Sequence, residues 1–275
     1  MKSGNQVVLV TGASSGMGKA FAQALLKHGM TVYAVARRSE QMEDLRTLGA
    51  ITLKMDITRE EDLQSVIQTI QKEHGGVDIL INNAGFGMYG AMEDTSIEDA
   101  RYQFEVNLFG MARLTQLVLP YMRNKHAGKI INIASMGGKI YTPLGSWYHA
   151  TKHAVEGWSD CLRLELYQFG VDVIIIEPGI IQTEFGDVVI GPMMQRSGNG
   201  AYRTMAQSVA DSTKESYQNN GASDPQVVVN AVMKAIHSDK PKTRYVVGKY
   251  AKLMMFIRKW FGDRLFDKFI LSLLK

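Results

Sequence analysis

The chain has 275 residues, 45% of them hydrophobic and 21% charged, with 6 prolines and a formal net charge of +4. This composition fits one sizeable globular domain and excludes a disordered or disulfide-rich chain; Cys161 is the lone cysteine, and six scattered histidines leave no cluster at metal-ligand spacing. Residues 240–275 hold ten Lys/Arg against two Asp, a net of +8 that leaves −4 for the first 239 residues, so the body offers no basic face to nucleic acid.

Along the chain, apolar β-branched runs alternate with stretches of helical period. That is the pattern of βαβ units in an α/β Rossmann-type fold, a doubly wound parallel sheet with helices on both faces. The first strand is expected at Val7 to Thr11. Its apolar run, Val7 to Val10, is too short for a signal peptide or a membrane span, so a cytoplasmic location is expected. Six further strands are expected at Thr31–Ala36, Ile51–Met55, Val77–Asn82, Lys129–Ala134, Val171–Glu177 and Arg244–Val247. The sixth is almost continuously apolar, as a central strand covered on both faces should be, and its end at Glu177-Pro178-Gly179 should open on a ligand crevice.

Residues 186–223 break the alternation with Gly, Ser, Asn and Pro punctuation and three methionines, which predicts an irregular lid ahead of a helix capped by Asp224-Pro225. The domain, lid included, spans 1–248. The remaining 249–275 form a basic amphipathic helical extension, broken at Gly262-Asp263. In it Tyr250, Leu253, Ile257, Phe261, Leu265, Phe269 and Leu273 recur at helical spacing, with Lys252, Arg258, Lys259, Arg264 and Lys268 largely elsewhere. Two readings fit: a peripheral contact with an anionic membrane, or, preferred, packing over a substrate mouth or a neighbouring subunit.

After the first strand comes Thr11-Gly12-Ala13-Ser14-Ser15-Gly16-Met17-Gly18, and a helical pattern follows from Lys19 to Lys27, closed by Gly29. Glycines at this spacing between strand and helix let backbone approach a pyrophosphate, while the helix N-terminus supplies N–H donors. Gly12, Ser14, Ser15, Gly16, Met17 and Gly18 are the candidate contacts. The second strand runs into Arg37-Arg38, where an NAD-binding protein carries an acid for the ribose 2′-hydroxyl. Arginine there matches a 2′-phosphate and selects NADP(H), unless both are solvated loop charges.

Tyr148 and Lys152 lie four residues apart, on one face of a helix running toward Phe169. A phenol titrates near about 10, and a neighbouring cation that favours the phenolate would bring it into use near neutrality. His149 and His153 flank the pair, but adjacent helical positions point elsewhere, so a proton relay is declined. Cys161, further along, reads as a small buried residue.

Taken in order, these segments resemble the short-chain dehydrogenase/reductase family over almost the whole chain. The resemblance is carried by Thr11 to Gly18, Asn82-Asn83-Ala84-Gly85, Asn107 in Val106-Asn107-Leu108, Ser135, the Tyr148/Lys152 pair, and Pro178-Gly179-Ile180-Ile181-Gln182-Thr183. It implies hydride transfer between NADP(H) and a carbonyl or alcohol carbon. Tyr148 would be the general acid or base and Ser135 would hydrogen-bond the substrate oxygen. Lys152 would lower the tyrosine pKa and hold the nicotinamide ribose, and Asn107 would position a water. Asn83, Ala84, Gly85, Pro178, Gly179, Ile181 and Thr183 would line the cofactor. Asp56, beside Ile57, would contact the adenine; capping the helix that begins near Arg59 is an equal alternative. Ser135 also suits a strand-end cap, and Asn107 a helix-interior residue that satisfies backbone groups.

The pocket elements expected are Gly87-Met88-Tyr89, Met136 to Trp147, and Phe185, Val188, Val189, Ile190, Met193 and Met194 of the lid. They are apolar and adaptable, which favours a lipophilic ketone or alcohol. Within the family the chain looks most like the branch of 17β-hydroxysteroid and retinol dehydrogenases, so a steroid or retinoid is expected. The alternatives are a 3-oxoacyl thioester reductase and a non-catalytic NADP sensor. The family habit implies a homodimer or homotetramer through the helices after Ser96 and Ser146, with Leu114, Leu117, Val118, Trp158 and Leu162 as candidate interface or core.

Overall fold

The computed structural model describes residues 6–218 and 221–274. Residues 1–5 of the expected domain, 219–220 of the expected lid and 275 of the extension lie outside the described residues. In chain order the elements are β1 (Val7–Thr11), α1 (Gly16–Lys27), β2 (Thr31–Ala36), α2 (Glu43–Thr47), β3 (Ile51–Lys54), α3 (Glu60–His74), β4 (Ile79–Asn82), α4 (Ile97–Phe104), α5 (Gly110–Lys125), β5 (Gly128–Ile133), α6 (Ser146–Leu166), β6 (Val171–Pro178), α7 (Phe185–Ser197), α8 (Arg203–Gln218), α9 (Gln226–His237), β7 (Arg244–Val247) and α10 (Ala251–Ser272). A π-helical turn over Glu105–Phe109 joins α4 to α5, and a 3-10 turn follows β5 at Met136–Gly138.

The strands make one sheet in the order β3-β2-β1-β4-β5-β6-β7, every pair parallel. Strand order reverses between β1 and β4, so the crevice beyond their C-terminal ends is where such a sheet receives a ligand. Alternate residues feed opposite faces. Val8, Val10, Ile79, Ile81 and Ile131 pack with Phe21 and Leu25 of α1 and Val228 and Val232 of α9. Leu9, Leu80 and Ile130 pack with Leu63 and Ile70 of α3, Leu114 and Val118 of α5, and Leu162 and Leu166 of α6. Both faces are covered, which is why the strands read as continuous apolar runs.

Strand ends fall within two residues of the expected ones, and the N–H of Gln226 takes the Asp224 carboxylate at 2.7 Å as the cap of α9. Three expectations change, and one open alternative falls to the core. Residues 186–223 are not an irregular segment but fall mostly in the pair α7 and α8: Val189 and Met193, one turn apart, bury against Ala206, Val209 and Ala210, and Gly186, Gly191 and Pro192 are carried inside α7, while Gly198, Asn199 and Gly200 make the turn between the helices. Leu114, Val118 and Leu162 are core, with Leu117 and Trp158 packed on it; the large apolar side chains left exposed on this side are Phe109, Leu164 and Tyr167. Cys161 is exposed, because Val155, Ser159, Leu162 and Leu166 are the positions of α6 that face inward.

The last change concerns α10, which kinks at Gly262 (φ 73°, ψ 178°), where the sequence places a break. Its buried face is Met254, Phe266 and Ile270, set against Ile140. Leu253, Phe261, Leu265 and Leu273 of the expected apolar stripe remain exposed. The extension has apolar residues on two sides; the domain covers Met254, Phe266 and Ile270 together with Ile257 and Phe269 of the expected stripe, and leaves the rest of that stripe outside.

Candidate active site

The glycine turn between β1 and α1 is held by backbone that passes too close for side chains. Gly12 has φ +68°, and a Cβ there would lie 2.9 Å from Ala84 Cα; a Cβ on Gly18 would lie 2.3 Å from the Gly12 carbonyl oxygen. Thr11 and Asn83 stitch the turn to the end of β4. The N–H groups of Asn83 and Ala84 donate to Thr11 Oγ1 at 3.0 and 2.9 Å, and the Asn83 side-chain amide donates to the Thr11 and Gly12 carbonyls at 3.0 and 3.3 Å. Asn83 thus shapes the turn with its side chain rather than presenting it to the crevice.

Ser15, the N-cap of α1, makes no side-chain cap bond, and the first turn carries no acid, so the leading N–H groups of α1 are left for an anion. Gly16 is exposed, Ser14 is buried, and Ser15 and Met17 are half-buried. Across the crevice Thr183 stands at van der Waals distance from the place of a Gly16 Cβ, at 3.6 Å, and Ile181 is buried behind it. Gly179, just past Pro178 at the end of β6, bonds its N–H to the Val247 carbonyl at 2.8 Å. Arg37 and Arg38 are exposed at the end of β2, and Arg37 Nη1 donates to the Tyr102 hydroxyl at 2.8 Å. Asp56 Oδ1 accepts from the N–H and hydroxyl of Thr58 at 3.0 and 2.8 Å, a local turn ahead of α3, whose N-cap is Arg59; Ile57 is buried. A cradle of free N–H groups that side chains would fill, with two guanidinium groups at its edge, fits a phosphorylated dinucleotide.

At the other end of the crevice, α6 brings Tyr148 and Lys152 to one face. Tyr148 is 8% exposed, roofed by the rings of Tyr89, Phe185 and His149 at centroid distances of 5.8, 5.7 and 5.5 Å. Burial pushes its phenol well above the usual range; the neighbouring Tyr89 adds to this, and a hydrogen bond with Ser135 opposes it. Ser135 caps the 3-10 turn, its Oγ accepting from the Gly137 N–H at 3.0 Å, which leaves the hydroxyl proton to donate. It is both the strand-end cap and the partner of Tyr148.

Lys152 donates to the Ile133 carbonyl at 2.9 Å, and burial lowers its pKa to about 8 against the opposing charge of Glu156. Burial thus favours the protonated phenol. Asn107 sits in the π-helical turn, which turns it inward. Its amide accepts from the Phe86 N–H at 3.0 Å and donates to the Phe86 carbonyl and the Thr151 hydroxyl at 2.9 and 3.1 Å, tying the strand-end loop to α6.

Two residues outside the expected site belong to it. Glu156, 2% exposed and one turn beyond Lys152, is held by Lys139 at 3.0 Å and by Arg244 of β7 through bonds of 3.0 and 3.1 Å. The spacing 148, 152, 156 is visible in the sequence, but its charged partners come from distant strands. His149 is 7% exposed: the Thr142 N–H donates to Nε2 at 3.0 Å, so Nδ1 carries the proton and donates to the Gly137 carbonyl at 2.9 Å. It pins residues 136–142, the wall beside Tyr148, to α6. Gly87 lies under the Phe185 ring, whereas Trp147, expected in the pocket, turns outward to Phe104, with centroids 6.4 Å apart.

A family model described as short chain dehydrogenase matches residues 6–189. The chain belongs to the short-chain dehydrogenase/reductase family. It is similar to a 3-ketodihydrosphingosine reductase of Bacteroides thetaiotaomicron, 36% identical over 264 residues covering 94% of each chain. It is also similar to an NADPH-dependent 3-dehydrocapnine reductase of Ornithobacterium rhinotracheale, 32% identical over 97% of this chain and 96% of that one. Among solved structures, a serine dehydrogenase complexed with NADP+ matches with a TM-score of 0.77 and 29% identity over 88% of this chain and 94% of that one. The protein is an oxidoreductase of this family that binds a nicotinamide cofactor.

Burial holds the His149 ring neutral with a pKa lowered to about 4, below its unfolded value, so its contribution is complete above about pH 6.5 and is lost as pH falls toward 4. Chemical denaturation between pH 7.5 and 4 should show the wild type losing on the order of 3 kcal/mol relative to His149→Gln; parallel curves would refute the assignment. Because the Glu156 charge supports the Lys152 ammonium, Glu156→Gln should move the alkaline fall of kcat/KM for carbonyl reduction from about pH 8 to lower pH. A limb that stays put or moves upward would separate Glu156 from the lysine.

Proposed function

We propose that the enzyme uses NADPH to reduce the keto group of a lipophilic substrate to a secondary alcohol. The observation that carries this reading is the buried phenol of Tyr148, hydrogen-bonded to Ser135, one turn from Lys152 and at the end of a dinucleotide cradle. When bound, the reduced nicotinamide supplies the hydride. The Ser135 hydroxyl donates to the substrate carbonyl oxygen, and Tyr148 Oη gives its proton to that oxygen as negative charge develops there. Lys152, in its charged form, would steady the phenolate left behind and, with cofactor bound, would hold the nicotinamide ribose hydroxyls.

Arg37 and Arg38 support NADP(H) over NAD(H), and a relative's name, NADPH-dependent, points the same way. Tyr89, Phe185 and the apolar face of α7 and α8, acting as a lid, support a lipophilic substrate. The names of two relatives carry an oxidised carbon at position 3, which favours a 3-keto compound over the steroid or retinoid expected from the sequence. Exposed Phe109, Leu164 and Tyr167 suit a homodimer or homotetramer built on α5 and α6.

NADPH oxidation measured against a long-chain 3-keto amino alcohol, a 3-oxoacyl thioester, a steroid ketone and retinal should be fastest with the first; preference for the thioester would install the alternative substrate class. Tyr148→Phe should bind NADPH normally and lose roughly 10²–10⁴-fold in kcat on every accepted carbonyl, and unchanged turnover would discard Tyr148 as the proton donor. Arg37→Ser with Arg38→Ser should raise the KM for NADPH by roughly 10- to 100-fold while sparing NADH. An equal effect on both cofactors would remove the 2′-phosphate assignment.

A further inference from the structure

The outer side of α10 carries large apolar side chains that the described part of the chain leaves bare. Leu253, Phe256, Trp260, Phe261 and Leu265 are 56%, 53%, 66%, 55% and 48% exposed. Phe256 meets the rings of Trp260 and Phe261 at centroid distances of 6.3 and 6.2 Å, so the aromatic residues form one cluster at the Gly262 elbow. Lys252, Lys259, Arg264 and Lys268 are exposed around it, with Lys259 Nζ 5.3 Å from the Trp260 ring centroid. Of the two acids of the segment, Asp263 is paired with Arg258 at 2.5 Å and Asp267 accepts from the Tyr141 hydroxyl at 2.9 Å.

Two occupants could cover such a face. A second copy related by a twofold axis would set a segment of net charge +8 against its like, opposing charges of one sign across the contact. An anionic bilayer complements both features at once: lipid phosphates accept from the lysine and arginine side chains, and tryptophan and phenylalanine rings settle at the headgroup level. No helix among the described residues is long and apolar enough to cross a membrane, so the contact would be peripheral.

We propose that this enzyme docks on anionic membrane surfaces through the α10 elbow, with Phe256, Trp260 and Phe261 seated among the headgroups and the four cations over lipid phosphate. The inward side of the same helical pair, Met254, Phe266 and Ile270, packs on Ile140, five residues beyond Ser135, so docking holds the substrate wall toward the bilayer. That the bilayer also delivers the substrate rests on the lipophilic-keto reading above; the docking itself does not.

The test is flotation of the full-length protein with vesicles of phosphatidylcholine alone or containing roughly one third phosphatidylglycerol, at low salt and at about 0.5 M salt. Expected is co-flotation with the anionic vesicles at low salt, weakened by salt. Each cation near such a surface raises partitioning by about fivefold, so Lys259→Glu with Arg264→Glu should cost at least tenfold. Trp260→Ser with Phe261→Ser should do likewise, both variants keeping wild-type turnover of a small water-soluble ketone. Failure of the wild type to float, or undiminished flotation of either variant, would overturn the proposal. So would sedimentation in which Trp260→Ser with Phe261→Ser splits a wild-type oligomer that shows no vesicle binding, since the face would then be a subunit contact. Absence of turnover on every ketone would strike the hydride-transfer reading instead and leave the docking result standing.

Discussion

A cation turned into the protein is the constraint on which the active site rests. Moving an ammonium out of water costs several kcal/mol unless the interior offers compensation, and Lys152 finds it in the Ile133 carbonyl and in the charge of Glu156. Glu156 is itself buried and would be costly alone, so it is met by Lys139 from the turn after β5 and by Arg244 from β7. Arg244 also reaches Asp160 at 2.5 Å and Glu177 at 3.6 Å, and burial beside Glu156 pushes the Glu177 carboxyl upward. The register of β7 on β6, with Arg244 opposite Ile175, delivers that guanidinium to α6. The edge strand of the sheet therefore supports the protonation state of a residue on the far side of β6.

The same enclosure acts in the opposite sense on the neighbouring phenol. Low dielectric disfavours a charged form of either sign, so burial that drives Lys152 toward neutrality drives Tyr148 toward keeping its proton. The rings of Tyr89, Phe185 and His149 create that enclosure, and α7 contributes one of them. A protonated phenol and a charged lysine therefore coexist below about pH 8, and the lysine sets the alkaline limit of the site.

Features whose physics is local were legible in the sequence. A strand followed by glycines at Gly12, Gly16 and Gly18 and then a helix admits few conformations, and the four-residue step from Tyr148 to Lys152 fixes a shared helix face. Features that depend on what packs against an element were not. Glu156 continues the same step, but nothing local shows that Arg244, 88 residues away, will make its burial tolerable. His149 reads as an outward position because it adjoins Tyr148, until residues 136–142 fold over that side and use both ring nitrogens. Asn83 and Asn107 were recognisable as site residues, yet their amides serve backbone carbonyls and N–H groups of the loops rather than the crevice. In α7 the glycine-rich composition concealed the Val189 and Met193 pair that makes the segment helical.

The segment after β5 joins these levels. Ser135 at its start bonds Tyr148, Gly137 and Thr142 bond His149, and Ile140 between them points the other way, into Met254, Phe266 and Ile270 of α10. Hydrogen bonds therefore fix one side of the segment to the catalytic helix, while apolar packing fixes the other to the extension. Lys139 within it reaches Glu156, so the electrostatic support of Lys152 runs through the same few residues. A displacement of α10 large enough to unseat Ile140 would act on Ser135 and Lys139 together, because a close-packed interior transmits such shifts instead of absorbing them. The position of the extension is thus coupled by packing to Ser135 and Lys139.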